Sequence, residues 1–258
     1  MRLHVIFSSD GPIKLPWNYL HLLHGYLYAA ITRTYPDVGV FLHEQGFVVE
    51  DHKYKMLVFS RLFPKKAAGI DDGLILQPPF HWWVSSPLSP AMEALAATML
   101  KEGTALIGGV ELRIKKIEAE PVPEFTGRVL CEMISPLIAS TGIVRNRKLH
   151  KRFLLPSEPD FWRVVEDNLR RKAVALGLSV VHTDEMKFEV IGNWKSRLFE
   201  AQGTWVRGYE GSFIIMGAEK LFALAYEAGL GERNSQGFGM FRVVEQKGKE
   251  GTKQGKKC

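Results

Sequence analysis

Residues 121–127, PVPEFTG, carry two prolines in polar company and no apolar periodicity, which marks a linker. The stretches on either side of it announce the same succession of elements. Ahead of it, RLHVIFSS (2–9) alternates like a strand. From Pro16 to Thr34 the residues Leu20, Leu23, Leu27 and Ile31 form one helical stripe, with Pro16 at an early helical position. DVGVFLHEQGF (37–47) reads as a short second helix ending near Gly46. YKMLVFSRLF (54–63) reads as a strand, and GLILQPPFHWWVSS (73–86) as one or two more, interrupted at Pro78 and Pro79. SPAMEALAATMLKEG (89–103) has proline near its start and glycine past its end, the marks of a helix. TALIGGVELRIKKIEAE (104–120) is a strand pair turning at Gly108-Gly109.

After the linker the cycle restarts. RVLCEMI (128–134) is a strand, and 157–177 a helix with Ser157 or Asp160 as cap and Gly177 as stop. Two long strands over 186–217 turn at Gln202-Gly203, 218–229 is a helix, and 238–245 a last strand. Each half thus runs β-α-β-β-α-β, the ferredoxin-like order. The expected fold is α+β, two tandem ferredoxin-like (βαββαβ) domains over 1–120 and 128–245, with a basic flexible tail at 246–258. A single compact α+β domain is the alternative. A chain of 258 residues, 46% of them hydrophobic, can support either.

Composition narrows the setting. No run approaches the ~18 apolar residues that span a membrane, and MRLHVIFSSD is too short in apolar residues for a secretory signal. Cys131 and Cys258 offer neither a disulfide framework nor a CxxC pair, so a reducing cytoplasm is the expected compartment. The formal net charge is +6, of which the tail supplies +4 through five lysines and one glutamate. The remainder is nearly neutral, and whole-chain charge says little about partners. The local run TGIVRNRKLHKR (141–152) says more. Arg145, Arg147, Lys148, Lys151 and Arg152 stand together without an acid, and such a cluster repels itself unless solvent or a polyanion screens it.

GLGERNSQGFGMF (229–241) places Gly229, Gly231, Gly237 and Gly239 around a polar centre. A dinucleotide fingerprint would need a strand before these glycines and a helix after them; here the order is reversed. The spacing fails as well, because the third glycine position falls on Asn234 or on Arg242. No nucleotide cofactor is expected. A helix cap at Gly229 explains one or two glycines; four imply that another chain comes close. Gly231, Gly237 and Gly239, with Arg233, Asn234 and Ser235, are then candidates to contact phosphates or bases.

A helix followed by glycine-hydrophobic-glycine, a polar segment, and glycine-hydrophobic-glycine leading into the last strand resembles the C-terminal signature of the RAMP superfamily of CRISPR-associated proteins. The stretch YEAGLGERNSQGFGMFRV is most similar to its endoribonuclease that cuts CRISPR repeat transcripts into guide RNAs, and PWNYLHLLHGYLYAAI and FLHEQGF resemble the same family. The resemblance implies a CRISPR repeat RNA as partner and metal-independent transesterification. The ribose 2′-hydroxyl attacks the adjacent phosphorus, leaving a 2′,3′-cyclic phosphate and a 5′-hydroxyl. It also implies the catalytic residues: His43 within FLHE, Tyr28 within GYLYAAI, and a lysine in the following strand, Lys55 with Lys53 as competitor.

The residues themselves are compatible with these roles. A histidine near a helix C-terminus has its charged form favoured, Tyr28 lies about 80° from the centre of the leucine stripe, and a lysine can neutralise a phosphorane. His21, on Tyr28's face, is the competing histidine. HEQGF lacks the second histidine of HExxH, so no metal is expected. Two other readings stay open: a non-catalytic RNA-binding subunit of a CRISPR interference complex, and a ferredoxin-like enzyme acting on a small phosphorylated metabolite. A homodimer is neither required nor excluded.

Overall fold

The computed structural model describes residues 1–145, 148–179, 185–201 and 203–244. In chain order the first half comprises β1 (Arg2–Ser8), β2 (Ile13–Leu15), α1 (Leu20–Thr34), α2 (Pro36–Val40), a wide π-helical turn at Phe41–Gln45, β3 (Phe47–Val49), β4 (His52–Tyr54), β5 (Val58–Phe59), β6 (Phe63–Ile70), β7 (Gly73–Ser85), α3 (Ser89–Glu102), β8 (Thr104–Ile107) and β9 (Val110–Glu120). The second half comprises β10 (Arg128–Met133), β11 (Ser140–Arg145), β12 (Lys148–Phe153), α4 (Pro159–Ala175), β13 (Met186–Ala201), β14 (Thr204–Gly217), α5 (Glu219–Ala228), a 3₁₀ turn at Asn234–Gln236 and β15 (Phe241–Val243).

The two halves solve the same packing problem in the same way. In the first sheet β1 pairs with both β7 and β9, and β7 pairs with β6, all antiparallel. In the second, β10 pairs with β14 and β15, and β14 with β13, again antiparallel. Each is a ferredoxin-like sheet with its strands in the order fourth, first, third, second. The fold is α+β, two ferredoxin-like units in tandem.

Alternation along β1 shows the cause. Leu3, Val5 and Phe7 are buried beneath α1 and α3, while His4 and Ile6 take the other face. On β7, Trp82 is fully buried in the core and Trp83 lies on the opposite face, stacked on His4 at 4.4 Å between ring centroids.

Several boundaries differ from the sequence reading for local reasons. α1 begins at Leu20, since residues 16–19 form a separate turn in which Tyr19 N–H donates to the Pro16 carbonyl. The strand expected over 54–63 is broken: β4 ends at Tyr54, Met56 takes φ 52°, Val58–Phe59 pairs with β7, and Phe63 begins the separate strand β6. Residues 73–85 form one continuous strand, despite a cis Pro78-Pro79 peptide. α4 starts after Glu158 without any side-chain cap, so neither Ser157 nor Asp160 caps it. The run at 141–152 falls within a β-hairpin, β11–β12, and the last strand is shorter than expected, because residues 238–240 belong to the loop before it.

The halves are joined by more than the linker. Arg2 is buried and donates from Nη1 to the Phe241 carbonyl and from Nη2 to the Tyr226 carbonyl. Its guanidinium lies 3.4 Å from the Tyr226 ring centroid. The Met1 ammonium pairs with Glu227, and Arg61 with Glu210 at 3.1 Å. Each apolar core also borrows side chains: Ile138, Val206 and Phe238 enter the first, Tyr54 and Met56 the second.

Candidate active site and RNA interface

The glycines of 229–239 are explained by the protein's own chain. Gly231 has φ +63°, and a Cβ there would meet the Ile138 carbonyl oxygen at 2.4 Å. At Gly239, φ +81°, it would meet the Leu230 oxygen at 1.9 Å. A side chain fits neither place. The loop is clamped against Pro136–Ile138: Gly239 N–H donates to the Pro136 carbonyl at 2.8 Å and Glu232 N–H to the Ile138 carbonyl at 3.0 Å.

Asn234 closes the loop from inside. Its side-chain N–H groups donate to the Leu230 and Phe238 carbonyls at 2.8 and 3.0 Å, and its Oδ1 accepts from Lys172 Nζ at 2.6 Å. Asn234, read from the sequence as a candidate contact to phosphates or bases, is therefore turned inward with its amide already paired.

Lys172 also donates to the carbonyls of Gly229 and Gly231. It is fully enclosed, and burial pushes its pKa down to about 7. From sequence, 168–172 passes for an ordinary basic surface; here its last lysine is the internal brace of the loop.

The loop presents Ser235 to α1. The Ser235 carbonyl lies 2.7 Å from His24 Nδ1, and its side chain lies near enough to Tyr28 to favour the ionised phenol. The Tyr28 ring contacts both His24, at 4.7 Å between ring centroids, and His43, at 5.3 Å and edge-on. Burial raises the Tyr28 hydroxyl to about 12, the Ser235 side chain acting against that rise.

His43 is held by the π-helical turn, which Gly46 ends at φ 65°. Lys55 Nζ donates to the His43 carbonyl at 2.5 Å, and Lys53 donates to the Glu44 carbonyl. Both lysines cap the electronegative end of that turn. Lys55 has its pKa lowered by burial first and then by Lys53. The structure thus brings Tyr28, His43 and Lys55 to one place. His21 stays apart: it is exposed, with Nδ1 2.6 Å from the Asn18 carbonyl. His24, one turn before Tyr28, went unnoticed in the sequence, although an i, i+4 pairing was the available signal.

A hollow of about 610 Å³ opens between the halves, lined by Lys53, Lys55, Lys151, Arg171 and the 231–235 loop. Arg233, in the left-handed region at φ 58°, donates to Gln236 Oε1 at 3.0 Å. Of the basic run, Lys151 pairs with Glu232 at 2.6 Å and Arg152 with Glu158 at 2.7 Å. Glu232 comes from distant sequence and Glu158 from just beyond the run, so the run is less unpaired than its own residues suggest. Arg147, and the side chains of Arg145 and Lys148, lie outside the described residues. Among the described residues no three His, Cys, Asp or Glu side chains gather as metal ligands, and no helix is long and apolar enough to cross a membrane.

Two ferredoxin-like units in tandem, with a glycine loop of the second braced against the first helix of the other, define a RAMP protein. The fold is shared with a Cas6-related protein of Pyrococcus furiosus, at a TM-score of 0.83 and 20% identity over 95% of this chain and 99% of that one. It is shared too with a structure described as a RAMP protein binding different RNA substrates, at 0.80 and 23% over 95% and 100%. Residues 14–118 match the N-terminal model of CRISPR-associated protein Cas6, and 118–243 its C-terminal model. The chain belongs to the Cas6 family. It is 27% identical to the CRISPR-associated endoribonuclease Cas6 1 of Methanocaldococcus jannaschii, over 98% of this chain and 96% of that protein.

Proposed function

We propose that the protein is an endoribonuclease that cuts CRISPR repeat transcripts into guide RNAs. The relative of M. jannaschii is named for that class of activity, and the family is one of CRISPR-associated proteins. The observation that carries the reading is the contact of Tyr28 with His43 at 5.3 Å, with Lys55 on the His43 carbonyl, at the rim of a cationic hollow.

RNA supplies its own nucleophile. The 2′-oxygen forms a bond to phosphorus, the bond to the 5′-oxygen breaks, and the products are a 2′,3′-cyclic phosphate and a 5′-hydroxyl. The protein has to move one proton off the 2′-oxygen and one onto the 5′-oxygen, and to steady the phosphorane between. His43 moves a proton, as acid or base. Tyr28 assists it with a hydroxyl that burial keeps protonated. Lys55 offsets the growing negative charge. The basic run, with Arg233 and Ser235 of the loop, contributes phosphate and base contacts. Gly231, Gly237 and Gly239 are buried against the protein's own chain, with the Gly237 and Gly239 N–H groups donating to the Asn234 and Pro136 carbonyls, and serve to shape the loop. No divalent ion takes part in these steps.

The test is cleavage of a repeat RNA in excess EDTA by wild type and His43→Ala. Loss of about 10²–10⁴-fold in the variant, with wild type indifferent to chelator, is the expected result. Equal rates for the two would remove His43 from the chemistry. RNA bound but left uncut by wild type would make the protein a carrier of RNA without catalytic activity.

A further inference from the structure

His24 is the one histidine beside Tyr28 that the roles above leave unused. Its Nδ1 is 2.7 Å from a carbonyl oxygen. A carbonyl can only accept, so the proton sits on Nδ1 and the lone pair of the neutral ring is on Nε2. That nitrogen has no hydrogen-bond partner among the described residues, and the residue is only partly buried. The imidazole is therefore fixed in one tautomer with a free basic edge, the arrangement by which a backbone or carboxylate acceptor orients a catalytic base.

The surroundings suit that role. His24 forms part of the wall of a second hollow of about 760 Å³, between the start of α1 and the β13–β14 arm. The same Tyr28 ring also contacts His43. Two imidazoles thus touch one phenol, His24 lining this hollow and His43, with Tyr28, a separate one of about 400 Å³. The groups nearest His24 are cationic or neutral: His21 on the same helix, His43 on the π-helical turn and Lys55 beyond it. The same hollow is lined by Arg197 and Glu200 of β13 and by Asp72. Burial is the main reason the His24 pKa is lowered, with His43, His21 and Lys55 adding to the shift against the Ser235 bond. The ring is consequently neutral at neutral pH, as a base must be. Tyr28, held near 12, cannot supply a base there.

We propose that His24 is a second catalytic histidine: Nε2 removes the 2′-hydroxyl proton while His43 protonates the departing 5′-oxygen. The step balances. His24 ends as imidazolium and His43 as neutral imidazole, and exchange with water resets both. The inference rests on the endoribonuclease reading and assigns the base that reading leaves open.

The experiment is single-turnover cleavage, at saturating enzyme, of a synthetic RNA of one repeat unit from the source genome. A second version of the RNA carries sulfur in place of the 5′-oxygen at the cut, because a thiolate leaves without an acid. His24→Asn keeps an N–H toward the Ser235 carbonyl but has no Nε2. The expected result is a loss of about 10²–10⁴-fold, disappearance of the acidic limb of the rate profile below pH 6.5, and no recovery with the sulfur substrate. His43→Ala is expected to recover with that substrate. His24→Asn cutting within about threefold of wild type, recovering with sulfur, or losing only RNA affinity would overturn the assignment while leaving the endoribonuclease intact. Added imidazole restoring His24→Gly separates lost chemistry from lost folding; failure of that rescue in a folded variant also overturns it. A wild type that cuts neither RNA refutes the broader reading, and this one with it.

Discussion

At the scale of single residues, two lysines in one short segment have different work. Lys53 and Lys55 each cap a carbonyl of the same turn, but Lys55 holds that of His43 itself and Lys53 the next one. Removing Lys55 should therefore cost both charge stabilisation and the placement of His43. Lys55→Ala is expected to slow cleavage about 10²-fold or more, the scale of losing one transition-state charge contact, and Lys53→Ala only about threefold. Single-turnover rates at saturating enzyme distinguish the two; the reverse order would exchange their roles. Tyr28→Phe belongs to the same scale. It deletes the hydroxyl and leaves the ring in contact with both histidines, so the rate should fall about 10²-fold while RNA affinity holds. Much of this site could be read in the sequence, since FLHE and GYLYAAI each contain the residue concerned. His24 could not be ranked, because its meaning depends on the Ser235 carbonyl, some 200 residues further along. Asn234 and Lys172 were misjudged for a related reason. Polar residues in polar company look exposed, and only a neighbouring ring of carbonyls shows that they are buried.

At the scale of elements, the glycine loop depends on one ammonium. Lys172 Nζ serves two carbonyls and the Asn234 side chain. Lys172→Met would leave these acceptors buried without a donor, at a cost of about 2–4 kcal/mol in unfolding free energy, measured by denaturant titration. It should also release Ser235 from Tyr28 and lower the cleavage rate. A pH signature accompanies it. The folded pKa is about 7, below the ~10.4 of an exposed lysine. Between these values the unfolded chain binds a proton that the folded one does not. This group's contribution to stability therefore rises with pH through that window and is flat below it. Titrations at pH 6.5 and 9.5 should show wild type gaining on Lys172→Met; a constant gap would mean that the lysine titrates normally. The order of elements was legible because apolar alternation and helical stripes survive without tertiary context. Their ends were less so. Met56 breaks an apparently continuous strand through a positive φ that no residue type there announces, and the last strand is short because Gly239, just before it, packs against Leu230 and donates its N–H to the Pro136 carbonyl.

At the scale of the molecule, the site exists only while the halves are docked. Tyr28, His24 and His43 come from the first, Ser235 from the second, and much of the docking runs through Arg2. That guanidinium spends two donors on carbonyls of the second half and stacks on its Tyr226 ring. Burial lowers it to about 10, against the pull of Tyr226 and Glu120, so the group is enclosed at a cost that its partners must offset. Arg2→Lys keeps the charge but has no planar fork to reach both carbonyls or to stack. It is expected to lose about 2 kcal/mol of stability. Cleavage at saturating RNA should fall even at temperatures where the variant is fully folded, because Ser235 no longer meets Tyr28 squarely. The two effects can be separated with a double-mutant cycle. If Arg2 acts on the chemistry solely by aligning the halves around His43, then Arg2→Lys should cost the wild type much and His43→Ala almost nothing further. Equal costs in both backgrounds would show that Arg2 contributes stability alone, and that the halves find their alignment by other contacts.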